Sequence, residues 1–322
     1  MMRLSPATQA FFKKFSEMMA ASSPKPLSAL SMEEYRTGGS TIFCPLAEDP
    51  AVVNSRKITI PGFAGHPLDA EIFNPDSSKD APTLIFYPGG GFVATLGVHN
   101  VPCSHIAKKA NCKVIMVNCR LAPEHQFPIG LEDAYAAYKW ILTNAETLGV
   151  ATDKIMVGGD SSGGNFAALI AIRARDEGLP LAHQFLISPA TDLSRSIKTH
   201  EELEKQDMLL GAELAAWAYE KYLPSGVDPK DPSVSPYWHS DLSRLAPATI
   251  VVAECDGLRS DSDGYAEKLL GAGSKVELIV VPGQVHSFMI ARRVLNDGTD
   301  PSDIISKKIK GLFAEYAPPS PC

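Results

Sequence analysis

From about residue 57 onward, short apolar runs alternate with longer segments whose apolar residues recur at helical spacing. The runs 83–87, 113–117, 154–157, 184–187, 249–252 and 276–281 read as strands. Most are apolar throughout, as strands covered by helices on both faces must be. Segments 101–111, 131–148, 162–176, 263–272 and 304–316 read as helices; in the second, Ala134, Tyr138, Ile141 and Leu142 share one face. This alternation predicts an α/β fold, a mostly parallel sheet with helices on both sides. Two stretches break it. Residues 1–45 and 195–235 have helical patterning with no strand between, so they are expected outside the sheet, over the carboxyl ends of its strands, as the two pieces of a cap. The core is then 46–194 and 236–322.

Composition narrows the function. The chain has 322 residues, 45% hydrophobic, enough for a deep core. Its net charge is −7 and no basic run exceeds two residues, so the counterion release that drives nucleic-acid binding is missing and no nucleic-acid partner is expected. Gly and Pro are numerous but not periodic, which excludes collagen-like and repeat architectures. Cys44, Cys103, Cys112, Cys119, Cys255 and Cys322 form no C-x-x-C pair and no zinc spacing with histidine, so neither a structural metal nor a disulfide framework is expected. Lys13, Lys14 and Glu17 interrupt the first apolar stretch, unlike a signal peptide, and no apolar run approaches the roughly 20 residues of a membrane span. A reduced, cytoplasmic protein is the expectation.

The chemistry concentrates after the third of those runs. Strand 154–157 leads into Gly158-Gly159-Asp160-Ser161-Ser162-Gly163-Gly164 and then a helix, a G-x-S-x-G motif in strand-turn-helix context. Only Ser161 is centred between Gly159 and Gly163, and no lysine follows as in a phosphate loop, so Ser161 is the candidate nucleophile. A serine needs a base, and the base an orienting carboxylate. Asp256 follows strand 249–252 and His286 follows strand 276–281, in the chain order Ser, Asp, His of the α/β-hydrolase arrangement. Asp261 and Asp263 stand close by but read as N-terminal caps of the next helix. Glu254 still lies within the strand's reach, and Cys255 reads as a small buried packing residue. His99, His105, His125, His183, His200 and His239 read as surface or satisfied core residues, since only His286 follows the last strand. After strand 83–87 comes Pro88-Gly89-Gly90-Gly91-Phe92. Consecutive glycines let bare amides approach a substrate oxygen, so the backbone N–H groups of Gly90, Gly91 and Ser162 are the candidate oxyanion hole.

With these motifs the chain resembles the hormone-sensitive lipase-like family of α/β-hydrolases, the bacterial family IV esterases, over nearly its whole length. The matching pieces are 88–92 (HGGG in the family), 120–128, 159–164 (GDSAGG), Ser235-Pro236, 256–259 (DPLR) and 286–288 (HGF). The resemblance implies about eight strands, a helical cap, no cofactor, short- to medium-chain esters as substrates, and it allows a homodimer. Several positions depart from it. Pro88 stands where the family has a histidine that braces the glycine loop, so bracing must come from the proline ring or another neighbour. Ser162 replaces alanine, and Asn118-Cys119 replaces the usual tyrosine before Arg120.

On the substrate side the candidates are Phe92, Met208 and Leu209, with Leu210 and Trp217 beside them in the cap. Phe11, Phe12, Phe15, Met18 and Met19 share a helical face expected to pack on the rest of the cap, and 201–205 reads as a solvated face. The expected protein is a serine carboxylesterase. An amidase, deacetylase or acyltransferase would use the same triad. A non-catalytic receptor on this fold is the reading from another class, and the presence of Ser161, Asp256 and His286 together favours an enzyme.

Overall fold

Eight strands form one sheet in the order β1-β2-β4-β3-β5-β6-β7-β8. They are β1 Ser55–Pro61, β2 Pro67–Phe73, β3 Thr83–Tyr87, β4 Lys113–Val117, β5 Ile155–Asp160, β6 His183–Ile187, β7 Ala248–Ala253 and β8 Val276–Val281. The structure is a computed structural model, describing residues 4–22, 25–74, 76–197, 209–295 and 300–314. From β4 to β8 every pairing is parallel; β2 pairs antiparallel with both β1 and β4. Apolar runs marked six of the eight. β1 and β2 escape that pattern because each leaves residues on one face to solvent and so mixes exposed and buried positions.

Alternate residues of the central strands feed two cores. Ile85, Tyr87, Ile115, Val157 and Leu186 belong to one, Leu84, Phe86, Val114, Met156 and Phe185 to the other. The first also holds residues of α4 Ile129–Thr143, α6 Ser162–Asp176 and α8 Arg259–Gly271, including Tyr138, Ile170 and Leu269. The second holds residues of α1 Pro6–Ser22, α3 Asn100–Ala110 and α9 Pro301–Leu312, including Phe12, Ile106 and Ile305. Helices α2 Met32–Phe43, α5 Ala145–Leu148 and α7 Ala212–Tyr222 complete the described set, within which no helix is long and apolar enough to cross a membrane.

The structure corrects three sequence-based expectations. Phe11 and Phe12 do not pack on the rest of the cap; they are buried in the second sheet core with Val285, Phe288 and Met289. The start of α1 is tied to the loop after β8, with Ser5 N and Thr8 Oγ1 both donating to Gly283 O, at 2.9 and 3.1 Å. The segment 131–148 is two helices, α4 and α5, meeting at Asn144. Asp261 and Asp263 are not caps, because α8 starts earlier: Asp256 accepts from Leu258 N through its side chain and from Arg259 N through its carbonyl, which turns the chain into the helix at Arg259. The segment 201–205 lies outside the described residues, as do the side chains of Met18 and Met19.

Candidate active site

Ser161 sits between the last residue of β5 and the first of α6 with φ 54° and ψ −120°. An L-residue held there carries strain on the order of 1–3 kcal/mol, which the surroundings must impose. They do so through the backbone. Ser161 N donates to Ile187 O (2.9 Å), and its carbonyl accepts from Ala190 N and Asn165 N, both at 3.1 Å. The glycines give the turn its room: a Cβ on Gly163 would lie 1.9 Å from Tyr87 O, and one on Gly159 would lie 2.4 Å from the Gly163 carbonyl. Gly163→Ala must therefore push α6 away from the end of β3. A shift near 1 Å costs about 100-fold in rate. We expect at least that loss in kcat/KM with a lowered melting temperature, read by an ester assay and calorimetry; a variant with unchanged rate would show that the turn has slack.

Two loops leaving the carboxyl ends of β7 and β8 meet beside this elbow. Asp256 is fully buried, and its two oxygens lie 3.0 and 3.1 Å from His286 Nδ1. Leu258 N donates to Asp256 Oδ1 at 2.8 Å and fixes the carboxylate's orientation. Glu254 turns away from the histidine ring: its Oε2 accepts from Gly283 N (2.9 Å), and Cys255 N donates to Gln284 O (2.9 Å), so the β7 loop carries the loop of His286. Cys255 is buried, as expected of a packing residue.

The glycine loop after β3 lies opposite. Gly90 (φ 142°) could not carry a side chain, since a Cβ would fall 1.9 Å from Ala94 O. Its carbonyl accepts from Val93 N and Ala94 N, curling the loop, and Arg36 of α2 reaches in to donate from Nε to Val93 O at 2.8 Å. Gly89 N donates to Asp160 Oδ1 at 2.9 Å, and Asp160 also meets His99 Nε2 at 3.1 Å. Burial works against the Asp160 charge, but His99, the Gly89 amide and the more distant His286 outweigh it and hold this carboxyl below its usual range. Gly90, Gly91, Ser161, Ser162 and His286 line one cavity of about 70 Å³. Among the described residues, no protein acceptor takes the amides of Gly90, Gly91 or Ser162.

Residues 84–290 match a family model described as the alpha/beta hydrolase fold. The chain belongs to this family. Its motifs place it in the hormone-sensitive lipase-like branch. It is 31% identical to an ethyl acetate hydrolase of Pseudomonas putida over 93% of this chain and 96% of that one. It is 36% identical to the carboxylic ester hydrolase LipN of Mycobacterium tuberculosis over 76% of this chain and 67% of the other. Among solved structures, a hyperthermophilic esterase from Pyrobaculum calidifontis superposes with a TM-score of 0.86 at 33% identity, covering 98% of this chain and 99% of its own.

In this hydrolase the cavity is lined from outside the sheet by α2 and by the segment that runs from residue 209 into α7. Tyr35 and Phe43 come from α2, and Leu209, Leu210, Leu214, Ala218 and Tyr219 from the segment that ends in α7. Leu209 and Leu210 are thus part of the cavity wall; Met208 falls outside the described residues. Trp217 packs on Tyr35 with ring centroids 4.7 Å apart and is not a cavity residue. Phe92 does not line the cavity of Ser161 and His286 either: it is buried and stacked on Tyr222, centroids 3.9 Å apart and planes 7° apart, which anchors the far end of the glycine loop to α7. The sequence does not single out His99, which reads there as a surface or satisfied core residue; the structure makes it the buried partner of Asp160.

Asp261, inside α8, accepts Thr191 N and Asp192 N on one oxygen, at 2.8 and 2.9 Å. Burial pushes its carboxyl up to about 7; those two amides oppose the shift, and the charges of Asp192 and Asp256 add to it. A carboxyl raised on folding contributes stability that is fully present below the unfolded value near 4 and is lost as the pH rises through about 7. The contribution of this carboxyl to the melting temperature should therefore fall between about pH 4 and about pH 7 and level off above it, and the fall should be absent in Asp261→Asn, which keeps an acceptor for both amides without the charge. Parallel curves for the two proteins would exclude Asp261 as the group responsible.

Proposed function

We infer that this carboxylic ester hydrolase works by acyl transfer through Ser161, on esters with short- to medium-chain acyl groups. The observation that carries the reading is convergence. A serine on a strained elbow, a histidine held by a buried carboxylate and a loop of bare amides all line one cavity, although they come from the ends of four different strands. With Nδ1 committed to Asp256, the proton-accepting role on His286 falls to Nε2. Ser161 Oγ adds to the ester carbonyl as its proton passes to Nε2. The oxygen that becomes negative is received by the N–H groups of Gly90, Gly91 and Ser162. The tetrahedral adduct collapses, the C–O bond to the alcohol breaks, and His286 gives the leaving alkoxide its proton. Water then repeats the sequence on the acyl-Ser161 ester, releasing the acid and restoring the serine.

Of the stretches 1–45 and 195–235, expected as a two-piece cap over the core segments 46–194 and 236–322, the described helices α2 and α7 are the parts that cover the site, while α1 packs on the sheet. What supports this is the shared lining of the cavity by α2 and α7 and the Tyr35–Trp217 contact that joins them. A cytoplasmic setting fits the free thiols of Cys44, Cys103, Cys112, Cys119 and Cys255.

A cavity of about 70 Å³, its apolar wall made of leucine, alanine and aromatic side chains, is small beside the roughly 300–1,000 Å³ typical of drug-sized ligand sites. On p-nitrophenyl esters of increasing acyl length, kcat/KM should rise by up to about fourfold per methylene while each added group is buried, at roughly 0.8 kcal/mol per methylene, then fall once the cavity is full. Leu214→Ala should move the maximum to a longer chain. No turnover at any length would overturn the esterase reading, and a maximum that stays in place in Leu214→Ala would show that the acyl group lies elsewhere.

A further inference from the structure

We propose that Asp160, held by His99, is the positioning residue that sets the oxyanion loop against the nucleophile. The inference rests on the acyl-transfer reading of Ser161. Position 88 is proline, which offers neither a backbone N–H nor a side-chain donor, so the first amide of the loop able to tie it down is that of Gly89. That amide donates to Asp160 Oδ1 at 2.9 Å. Asp160 is also the residue directly before Ser161, at the end of β5. One buried carboxylate therefore joins the residue before the nucleophile to the residue before the two candidate oxyanion donors, Gly90 and Gly91. The approach is close enough to exclude a side chain on Gly89, where a Cβ would stand 2.6 Å from Asp160 Oδ2.

A carboxylate can serve as a fixed post only if its second oxygen is also satisfied. His99 supplies that partner, its Nε2 lying 3.1 Å from Asp160 Oδ2 and 3.1 Å from Oδ1, and its ring is itself buried. Because Asp160 is ionised it accepts, so the proton sits on His99 Nε2. His99 stands directly before α3, where Cys103 N donates to the His99 carbonyl at 3.2 Å, and its ring lies near that of Phe86 of β3, with centroids 6.4 Å apart. The brace thus runs from the start of α3 through His99 and Asp160 to Gly89, and performs the task for which position 88 has no donor. An oxyanion donor acts when charge develops, so losing its alignment lowers kcat and leaves KM nearly unchanged.

The test compares Asp160→Ala, Asp160→Asn, His99→Ala and His99→Gln with the parent protein in kcat and KM on p-nitrophenyl butyrate, in melting temperature, and in Ki for an aliphatic trifluoromethyl ketone. That ketone adds a serine hydroxyl to form an anionic tetrahedral adduct, so its affinity reports the hole directly. Both alanine variants should lose about 10- to 100-fold in kcat, less than the 100- to 1,000-fold of a deleted donor because the amides remain. KM should stay within about threefold and Ki should rise in step with the fall in kcat/KM. Asparagine keeps an acceptor for Gly89, and glutamine can place a nitrogen near that of the imidazole, so each should recover at least about tenfold over its alanine counterpart. Should Asp160→Ala fail to fold, the two His99 variants give the same readout. Folded alanine variants with parental kcat, or a lowered kcat with unchanged ketone Ki, would overturn the proposal. A parent protein without turnover, or turnover that survives Ser161→Ala, would instead overturn the acyl-transfer reading beneath it.

Discussion

Replacing Ser161 by glycine should abolish ester turnover and at the same time raise the melting temperature. The loss follows from the acyl-transfer reading, since without Oγ there is no covalent route, and removal of a serine nucleophile costs on the order of 10⁶ in kcat in hydrolases of this mechanism. Some acceleration over water should persist, because the amides of Gly90, Gly91 and Ser162 can still polarise a bound ester for attack by water. The gain follows from the backbone. Ser161 is held at φ 54° and ψ −120°, a conformation that glycine adopts at little cost. Strain of about 1–3 kcal/mol is relieved, offset by about 0.5–1 kcal/mol for the greater freedom of glycine in the unfolded chain. A net gain near 1 kcal/mol should raise the melting temperature by about 1–3 °C in a chain of this size. More than about 1% of parental kcat/KM in the variant would remove Ser161 from the nucleophile role, on the scale of that expected loss. A lowered melting temperature would show that the elbow is not strained.

Asp256→Asn should cost about 10⁴-fold in kcat while leaving the fold intact. The reason lies in which way the new amide must face. Leu258 N donates to Asp256 Oδ1 at 2.8 Å, so an asparagine there keeps its oxygen on Leu258 and turns its NH₂ toward His286 Nδ1. A donor facing Nδ1 favours the tautomer with its proton on Nε2, and such a ring cannot take the proton of Ser161. His286→Ala should lose a comparable factor by removing the base altogether. The two variants separate above neutral pH. Asp256→Asn should recover part of its rate at alkaline pH, as hydroxide competes for the serine proton, but only while the remaining machinery is intact. Stopped-flow burst amplitudes with p-nitrophenyl acetate would locate the loss in acylation. A variant within tenfold of the parent would mean that Asp256 does not select the tautomer.

Much of this site could be read from the chain because its pieces carry local signals. A serine elbow needs glycine at fixed offsets, since Gly159 and Gly163 face backbone atoms at distances no Cβ tolerates. Loops that leave successive parallel strands all open at one end of the sheet, so the positions of Asp256 and His286 after β7 and β8 already put them near Ser161. Other parts carry no such signal. His99 is separated from Asp160 by 61 residues, and nothing in its neighbours distinguishes it from a solvent-facing histidine. Phe92 follows the glycines directly and so suggests a substrate contact, yet its positive φ of 67° accompanies a ring stacked on Tyr222 instead of lining the cavity. Asp261 and Asp263 look like caps because apolar periodicity begins after them, whereas the turn made by Asp256 starts the helix at Arg259.

The sequence by itself determined the α/β class, the six apolar strands, five of them buried along their whole length, and Ser161, Asp256 and His286 as the candidate residues in that order. These depend on short-range rules: the period of apolar residues, the glycine that a tight turn requires, and the end of a parallel strand at which a loop must emerge. The tertiary structure decided what closes the cavity, where α1 packs, and how the glycine loop is held when position 88 has no donor to offer. Those are contacts between segments far apart in the chain, such as Thr8 with Gly283, Arg36 with Val93 and Gly89 with Asp160. Their strength depends on burial and geometry that exist only once the sheet has brought the partners together.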